Sequence, residues 1–174
     1  MTVQRQERNR VASRPFFRVL VLAIPCLSGL GEFAGLQSMA VAATTERIVT
    51  NRFSGLAIEG FDPLTYFIDG HPERGLAEFE VSQAGAVWRF RNEGNLASFI
   101  AHPEVYGPQF GGYDPVDLAR GITVAGNPMF WLVTGQRLYL FAREESRDTF
   151  AANPEPFLKQ ATSRWPELKE QLAQ

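Results

Sequence analysis

The sequence is poor in the residues that most often bind metals or attack substrates. Its 174 residues include one cysteine, Cys26, and two histidines, His71 and His102. Cys26 lies in an N-terminal segment with the pattern of a cleaved signal. The mature chain would then have no disulfide, no thiolate metal ligand and no cysteine nucleophile. Strong metal ligands are therefore scarce from the outset.

Other absences narrow the function further. No serine stands in a nucleophile elbow, and no motif places either histidine to activate one. No glycine-rich loop leads from a predicted strand into a helix, so nucleotide chemistry has no support. The formal net charge is −2 for the whole chain. It falls to about −5 without the N-terminal segment, so the basic face that nucleic acid requires is missing. These absences favour a binding or accessory module over an enzyme.

The N-terminal 42 residues have the order of an export signal. A basic lead precedes the uncharged, mostly apolar run from Val19 to Gly31, and Ala40-Val41-Ala42 offers a small-residue cleavage pattern. The apolar run contains Pro25 and is shorter than the ~20 residues that cross a bilayer. We expect residues 1–42 to be a cleaved signal peptide, residues 43–53 a flexible lead-in, and the protein to be periplasmic or secreted. No later stretch approaches a membrane span.

The remainder of the chain repeats one pattern. Gly60-Phe61-Asp62-Pro63-Leu64 returns as Gly112-Tyr113-Asp114-Pro115-Val116, and residues 90–106 return as 141–157 at a constant offset of 51. An internal repeat of this kind predicts two similar structural units. We place the units at about 60–106 and 112–157, within a single domain that covers residues 54–174.

Each repeat unit has the signals of a short helix, a β-hairpin and a longer helix. In the first unit, Asp62-Pro63 starts the short helix, residues 79–81 and 87–90 alternate as a hairpin, and Asn92 caps the longer helix. In the second unit, the corresponding segments start at 114, 130 and 144. A last amphipathic segment, Leu158 to Leu172, is expected to be interrupted by Pro166. Since neither unit can bury its own apolar face, both should pack into one α+β core.

Four short segments together carry a family resemblance. They are Asp62-Pro63-Leu64, Trp88-Arg89-Phe90, the run from Phe99 to Tyr106, and Gly111-Gly112-Tyr113. With them the chain resembles the YHS domain family, and more narrowly the small exported YHS-domain proteins of bacteria, from about residue 53 to 165. The resemblance implies a treble-clef/YHS-like fold.

The same resemblance implies a metal site whose thiols are missing here. YHS domains have a cysteine after the Asp-Pro motif and a cysteine pair after the terminal Phe of the hairpin. Those positions hold Thr65, Arg91 and Asn95 in this chain. Exported relatives often carry a further cysteine where this chain has Asp114. The inherited thiol site is therefore expected to be lost, or replaced by a harder and weaker one.

The two histidines have an ordinary interpretation and a functional one. His71 lies in a turn-forming segment, and His102 precedes Pro103 at a helix end, where its repeat partner is Asn153. If both histidines met in space with Asp62, Asp69 or Asp114, they could bind copper or zinc. A metal ion is therefore an alternative cofactor, although the first expectation is that there is none.

Asp114 and Asp117 also allow two interpretations. They could be a general acid and a general base. They could instead be an N-cap and a first-turn acid that complements the helix dipole. Capping also accounts for Asp62, the repeat partner of Asp114, and is the favoured prediction.

The segment from Tyr106 to Tyr113, which we call the joint, connects the two units, and its residues 107–111 lie outside both of them. It contains three glycines, a proline, an amide and three aromatic side chains. Pockets favour aromatic walls with few polar groups, but a tight linker whose aromatics are buried between the units is the simpler account. The candidate ligand-binding residues, for an unknown small ligand or protein partner, are Tyr66, Tyr106, Gln109, Tyr113, Asp114 and Trp131. An uncharacterised enzyme site at residues 106–114 is a further alternative.

Overall fold

A computed structural model describes residues 47–172, which fall within one compact unit. This part of the chain contains six α-helices and four β-strands. They are, in chain order, α1 (Thr65–Ile68), β1 (Leu76–Gln83), β2 (Ala86–Phe90), α2 (Glu93–Ala101), α3 (Pro103–Tyr106), α4 (Pro115–Leu118), β3 (Asn127–Thr134), β4 (Arg137–Phe141), α5 (Glu144–Ala152) and α6 (Pro154–Gln171). The mixed helix and strand content confirms the predicted α+β class. The predicted signal peptide lies outside the described residues. Across residues 47–172, no helix has the length and apolar character needed to cross a membrane.

The strands form two separate antiparallel hairpins, β1–β2 and β3–β4. Both hairpins carry an irregularity in the same place, between Leu76 and Glu80 in β1 and between Asn127 and Trp131 in β3. These positions are related by the 51-residue offset of the sequence repeat. Because a bulge changes the direction of a strand, the two units share their strand bend as well as their order of elements.

Each hairpin closes with a two-residue turn. The turn residues are Ala84-Gly85, with φ values of 54° and 82°, and Gly135-Gln136, with 56° and 58°. A two-residue hairpin loop with two positive φ values is a type I′ turn, whose twist matches that of the flanking strands. Glycine takes this conformation without strain, whereas Ala84 and Gln136 do not.

An aromatic group fills the space between hairpin and helix in both units. In the first unit, Phe99 of α2 packs on Trp88 and Phe90, with ring centroids 4.8 and 5.1 Å away. In the second, Phe150 of α5 packs on Tyr139 and Phe141, with both centroid separations at 5.2 Å. Every member has its repeat partner at the 51-residue offset, so the repeat extends to the core.

The helix ends follow the predicted capping pattern. The Asn92 side chain accepts a hydrogen bond from the Asn95 backbone N–H at 2.8 Å, which confirms Asn92 as a cap. His102 lies between α2 and α3, and Asn153 lies between α5 and α6. The shared helix-end position of His102 and Asn153 is therefore confirmed.

The prediction that Pro166 interrupts the last segment is wrong, because α6 continues through it to Gln171. Side chains on both sides of this proline are held in one apolar cluster: Ala161 and Leu172 are buried, and Trp165 and Leu168 pack against them. Burial of this stripe offsets the backbone hydrogen bond that proline cannot make.

The described part of the predicted lead-in is attached to the domain. The Val49 N–H donates to the Gly111 carbonyl at 2.8 Å, and Thr50 pairs with Ala57 as an antiparallel bridge. Ile48 and Val49 also pack on the apolar clusters. From Ile48 onward, therefore, the chain belongs to the folded body.

Candidate functional site

Asp62 is fully buried, and both of its carboxylate oxygens accept hydrogen bonds. Oδ1 accepts from the Leu64 N–H at 2.9 Å. Oδ2 accepts from the Arg91 N–H at 2.8 Å and from the Asn95 side-chain amide at 2.6 Å. The carboxylate therefore joins three parts of the first unit: the start of the short helix, the end of the hairpin and the first turn of α2.

The three positions where the YHS resemblance implies thiols all hydrogen-bond to Asp62, two to its carboxylate and one to its backbone carbonyl. Arg91 and Asn95 donate to the carboxylate as described, and the Thr65 hydroxyl donates to the Asp62 carbonyl oxygen at 2.8 Å. The same Thr65 oxygen accepts from the Glu73 N–H at 3.1 Å. The place of a possible metal centre is thus occupied by a hydrogen-bond network that serves folding.

Asp114 repeats this arrangement in the second unit. Its Oδ1 accepts from the Val116 N–H at 2.8 Å, and its Oδ2 accepts from the Ala142 N–H at 2.9 Å. Burial raises the pKa of Asp114, and these hydrogen bonds oppose the rise without cancelling it. The cap assignment of Asp114 is confirmed, because its side chain also reaches the Asp117 N–H at the start of α4.

Asp117 is held by an arginine. Arg143 donates to both carboxylate oxygens of Asp117, at 3.0 and 3.1 Å. The hydrogen bond and the charge of Asp117 raise the pKa of Arg143. Since both members of the Asp114/Asp117 pair are buried and already hydrogen-bonded, neither is placed to exchange protons with a substrate.

The two histidines lie on the surface, each beside a glutamate. His71 Nδ1 is 3.3 Å from a carboxylate oxygen of Glu73, and His102 Nδ1 is 3.7 Å from one of Glu104. Within residues 47–172, no group of three or more His, Cys, Asp or Glu side chains is arranged to hold a metal ion. His71 faces a polar pocket that it shares with Asp69. The copper or zinc alternative therefore gains no support from the geometry.

Three of the predicted ligand-binding residues belong to an apolar core to which both units contribute. Tyr66 is buried, its hydroxyl donates to the Pro128 carbonyl at 3.1 Å, and its ring meets Trp131 edge-on at 5.3 Å. Burial raises the pKa of Tyr66. Tyr106 packs edge-on against Phe67 at 5.6 Å. These contacts are those of a packed interior.

The other predicted residues separate into different environments. Tyr113 is fully buried in the α6 cluster, with its ring 5.9 Å from Trp165. Asp114 is committed to the hydrogen bonds described above. Gln109 instead lines a cleft. The structure therefore does not bring the six predicted residues into one site, and only Gln109 faces open space that a ligand could enter.

This cleft, which we call the joint cleft, has a volume of about 370 Å³. Its walls come from the lead-in, the β1–β2 turn, α2, α3, the joint and α6. The lining residues are Ile48, Gln83, Ala84, Trp88, Phe99, Pro103, Glu104, Gly107, Pro108, Gln109, Phe110, Trp165 and Lys169. A neighbouring cavity of about 600 Å³ shares Ile48, Ala84, Trp165 and Lys169 with it, and Arg47 also lines that cavity.

The glycines of the joint serve packing of the chain against itself. A Cβ added to Gly107 would lie 2.7 Å from the Pro103 carbonyl oxygen. Gly111 has a φ of +65°, and a Cβ there would collide with the Arg47 carbonyl. Glycine can let the backbone approach a ligand closely, but the close approaches at Gly107 and Gly111 are to backbone carbonyls of this chain.

The residues that the sequence did not reveal come from distant segments. Trp88 and Phe99 belong to the first unit, whereas Trp165 and Lys169 lie on α6 more than sixty positions later, and only the folded chain brings the two pairs to one cleft. The feature of the sequence that pointed to this place was the joint, whose residues 107–111 lie outside both repeat units.

Comparison with known proteins assigns no family or function to this chain. No family model matches the chain, and no curated protein or solved structure matches it either. The resemblance to the YHS family stays a prediction from the sequence.

Proposed function

We propose that this chain is an exported, non-catalytic binding module of the YHS type that holds a small ligand in the joint cleft. The supporting observation is a cleft with aromatic walls at the joint between the two repeat units. Its volume of about 370 Å³ lies in the range of small-molecule pockets, ~300–1,000 Å³.

The composition of the cleft suits binding. Phe110 and Trp165 are half-buried, and their rings meet edge-on at 6.0 Å, so apolar surface is available at the wall. Gln109 adds an amide that can both donate and accept hydrogen bonds. An apolar wall with a few polar groups fixes the orientation of a ligand.

The lining residues do not suit catalysis. Their only side chains with acid–base or nucleophilic character are Glu104 and Lys169. The buried carboxylates Asp62 and Asp114 are used in hydrogen bonds within their own units. A nucleophile with an adjacent base, the usual arrangement of covalent catalysis, is missing from this set of residues.

A fragment screen on the mature protein, residues 43–174, tests the binding function. Native mass spectrometry should find ligands, and amide chemical shifts should change at Gln109 and Phe110. Gln109→Trp should obstruct the cleft and weaken binding about tenfold or more, whereas Gln160→Trp, on an exposed position of α6, should not. Ligands that bind both variants equally, or shifts confined to other surfaces, would contradict the proposal.

The exported location has its own test. Full-length protein expressed in a Gram-negative host should appear in the periplasmic fraction with its N-terminus near residue 43. A variant with aspartate in the apolar run, Leu22→Asp, should remain uncleaved because the signal core would carry a charge. Cytoplasmic protein with an intact N-terminus in both cases would exclude export.

A further inference from the structure

We infer that the ligand of the joint cleft is an aromatic carboxylate, a flat apolar group with an anionic end. This inference rests on the proposed binding function and adds the chemical class of the ligand. It follows from the charges at the cleft and from the position of one lysine beside its aromatic wall.

Taken together, the joint cleft and its neighbouring cavity have a small excess of positive charge. Arg47 and Lys169 line the neighbouring cavity, and no acidic side chain lines it. Lys169 also lines the joint cleft, whose single carboxylate belongs to Glu104, beside His102. The mature chain as a whole is acidic, with about five net negative charges. A local excess of positive charge on an acidic protein favours an anion at this place.

Lys169 is the best-placed group to meet that anion. It follows Trp165 by four residues on α6, so the two side chains lie on the same helix face. In the described part of the chain, its ammonium makes no ion pair and no side-chain hydrogen bond. The positions three and four residues before it hold Pro166 and Trp165, so these helical neighbours supply no carboxylate. Lys169 can therefore reach a ligand without giving up an existing partner.

The aromatic wall defines the other end of the ligand. Trp165 and Phe110 present half-buried rings beside the lysine, and flat rings pack well on such surfaces. A cleft of about 370 Å³ has room for one or two fused rings but not for a folded chain. An arylcarboxylate fits both features, with its ring on the wall and its carboxylate toward the ammonium.

The chain offers a matched internal control. It contains only two lysines, Lys159 and Lys169, and both are exposed on α6. Lys159 lines neither the joint cleft nor the cavity beside it. Reductive methylation with ¹³C-formaldehyde labels both lysines and keeps their charge, and two resonances besides that of the N-terminus can then be followed by NMR.

The test compares three probes of equal size: 2-naphthoate, neutral 2-naphthalenemethanol and cationic 2-naphthylmethylammonium. We expect 2-naphthoate to bind most tightly and to shift the Lys169 resonance but not that of Lys159. Lys169→Gln should weaken 2-naphthoate about five- to tenfold, because a charge-assisted hydrogen bond is lost. Lys159→Gln should leave the affinity unchanged. Both variants should keep the wild-type urea midpoint, which excludes a merely structural effect of Lys169 at the helix C-terminus.

The outcomes separate the two proposals. If the neutral probe binds in the cleft as tightly as 2-naphthoate, and Lys169→Gln changes nothing, the ligand class is wrong and the binding function stands. If the two lysine resonances shift equally, the anion binds nonspecifically and the ligand class is again wrong. If no probe perturbs the cleft residues and the fragment screen also finds none, the binding function itself fails.

Discussion

Asp62 and Asp114 make the same connection in the two units, since each carboxylate links the start of a short helix to the residue that follows a hairpin. Asp62 reaches the Arg91 N–H at 2.8 Å, and Asp114 reaches the Ala142 N–H at 2.9 Å. Asp114 follows Asp62 by 52 positions, whereas Ala142 follows Arg91 by 51. The segment between the carboxylate and its N–H donor is therefore one residue shorter in the second unit. The repeat therefore preserves a hydrogen bond between segments that are distant in sequence.

Removing either carboxylate should strongly destabilise the protein. Asp62→Ala and Asp114→Ala each leave at least two backbone N–H groups without their acceptor, and a buried group left in this way costs about 1–3 kcal/mol. We expect the free energy of unfolding, measured with urea, to fall by about 2–4 kcal/mol in each variant. Asp69→Ala, at an exposed position just after α1, should change it by less than about 0.5 kcal/mol. Equal effects at Asp69 and Asp62 would contradict this account.

The third partner of each carboxylate differs between the units. Asn95 donates its amide to Asp62 at 2.6 Å. Its repeat partner Ser146 is close enough to Asp114 to lower the pKa of that carboxyl, yet its buried hydroxyl makes no hydrogen bond of good geometry. Asn95→Ala should therefore cost about 1.5–3 kcal/mol of unfolding free energy, and Ser146→Ala less than about 1 kcal/mol. Urea titrations measure both losses, and equal losses in the two variants would contradict this difference between the contacts.

The stability of the protein should depend on pH through Asp114. Burial raises the pKa of Asp114 above its ordinary value of 3.8, so the folded state holds this proton more tightly than the unfolded chain. The contribution of Asp114 to the free energy of unfolding should then increase as pH falls from neutral through the folded pKa toward 3.8. Asp114→Asn cannot titrate. The stability advantage of the wild type over this variant should therefore grow between pH 7 and about 4.

Urea unfolding of both proteins at several pH values measures this trend. Glu155→Gln, at an exposed carboxyl in the first turn of α6, provides the comparison for general acid effects. An advantage that shrinks on acidification would mean that the folded state lowers the pKa of Asp114.

Replacing Pro166 should stabilise the protein. The proline lies inside α6, where it removes a backbone hydrogen bond and costs about 3 kcal/mol relative to alanine. Part of that cost is offset because proline also restricts the unfolded chain by about 1 kcal/mol. We expect Pro166→Ala to raise the free energy of unfolding by about 1–2 kcal/mol. Pro156→Ala, in the first turn where no such bond exists, should be near neutral or slightly destabilising, and a gain as large as that of Pro166→Ala would contradict the explanation.

The sequence predicted the helix starts and the hairpin turns well, because each depends on residues within a few positions of one another. Asn92 and Asp114 cap helices through N–H groups two or three residues ahead, and the Gly85 and Gly135 turns are set by backbone conformation. The continuation of α6 through Pro166 could not be predicted from neighbouring residues. It depends on burial of Trp165 and Leu168 against residues such as Tyr113, which lie some fifty positions earlier.

The candidate site was harder to predict than the fold. Aromatic side chains such as Tyr66 and Trp131 looked available for a ligand, yet they pack on each other in the interior. An aromatic side chain becomes part of the core or lines a cleft according to the residues that pack against it. Those residues come from distant segments, so the local sequence does not specify them. Only Gln109, in the segment outside the repeat, was both predicted and found at the cleft.

Ala84, the first residue of the β1–β2 turn, links hairpin geometry to the width of the cleft. Its φ of 54° is one that asparagine or glycine would adopt with less strain. Its single methyl group also lines both the joint cleft and the cavity beside it. Asparagine at this position would relax the turn but place a larger polar side chain at the entrance. Alanine thus leaves the cleft wider than asparagine would, at the cost of a strained turn. A substitution that relaxes this hairpin would therefore narrow the cleft.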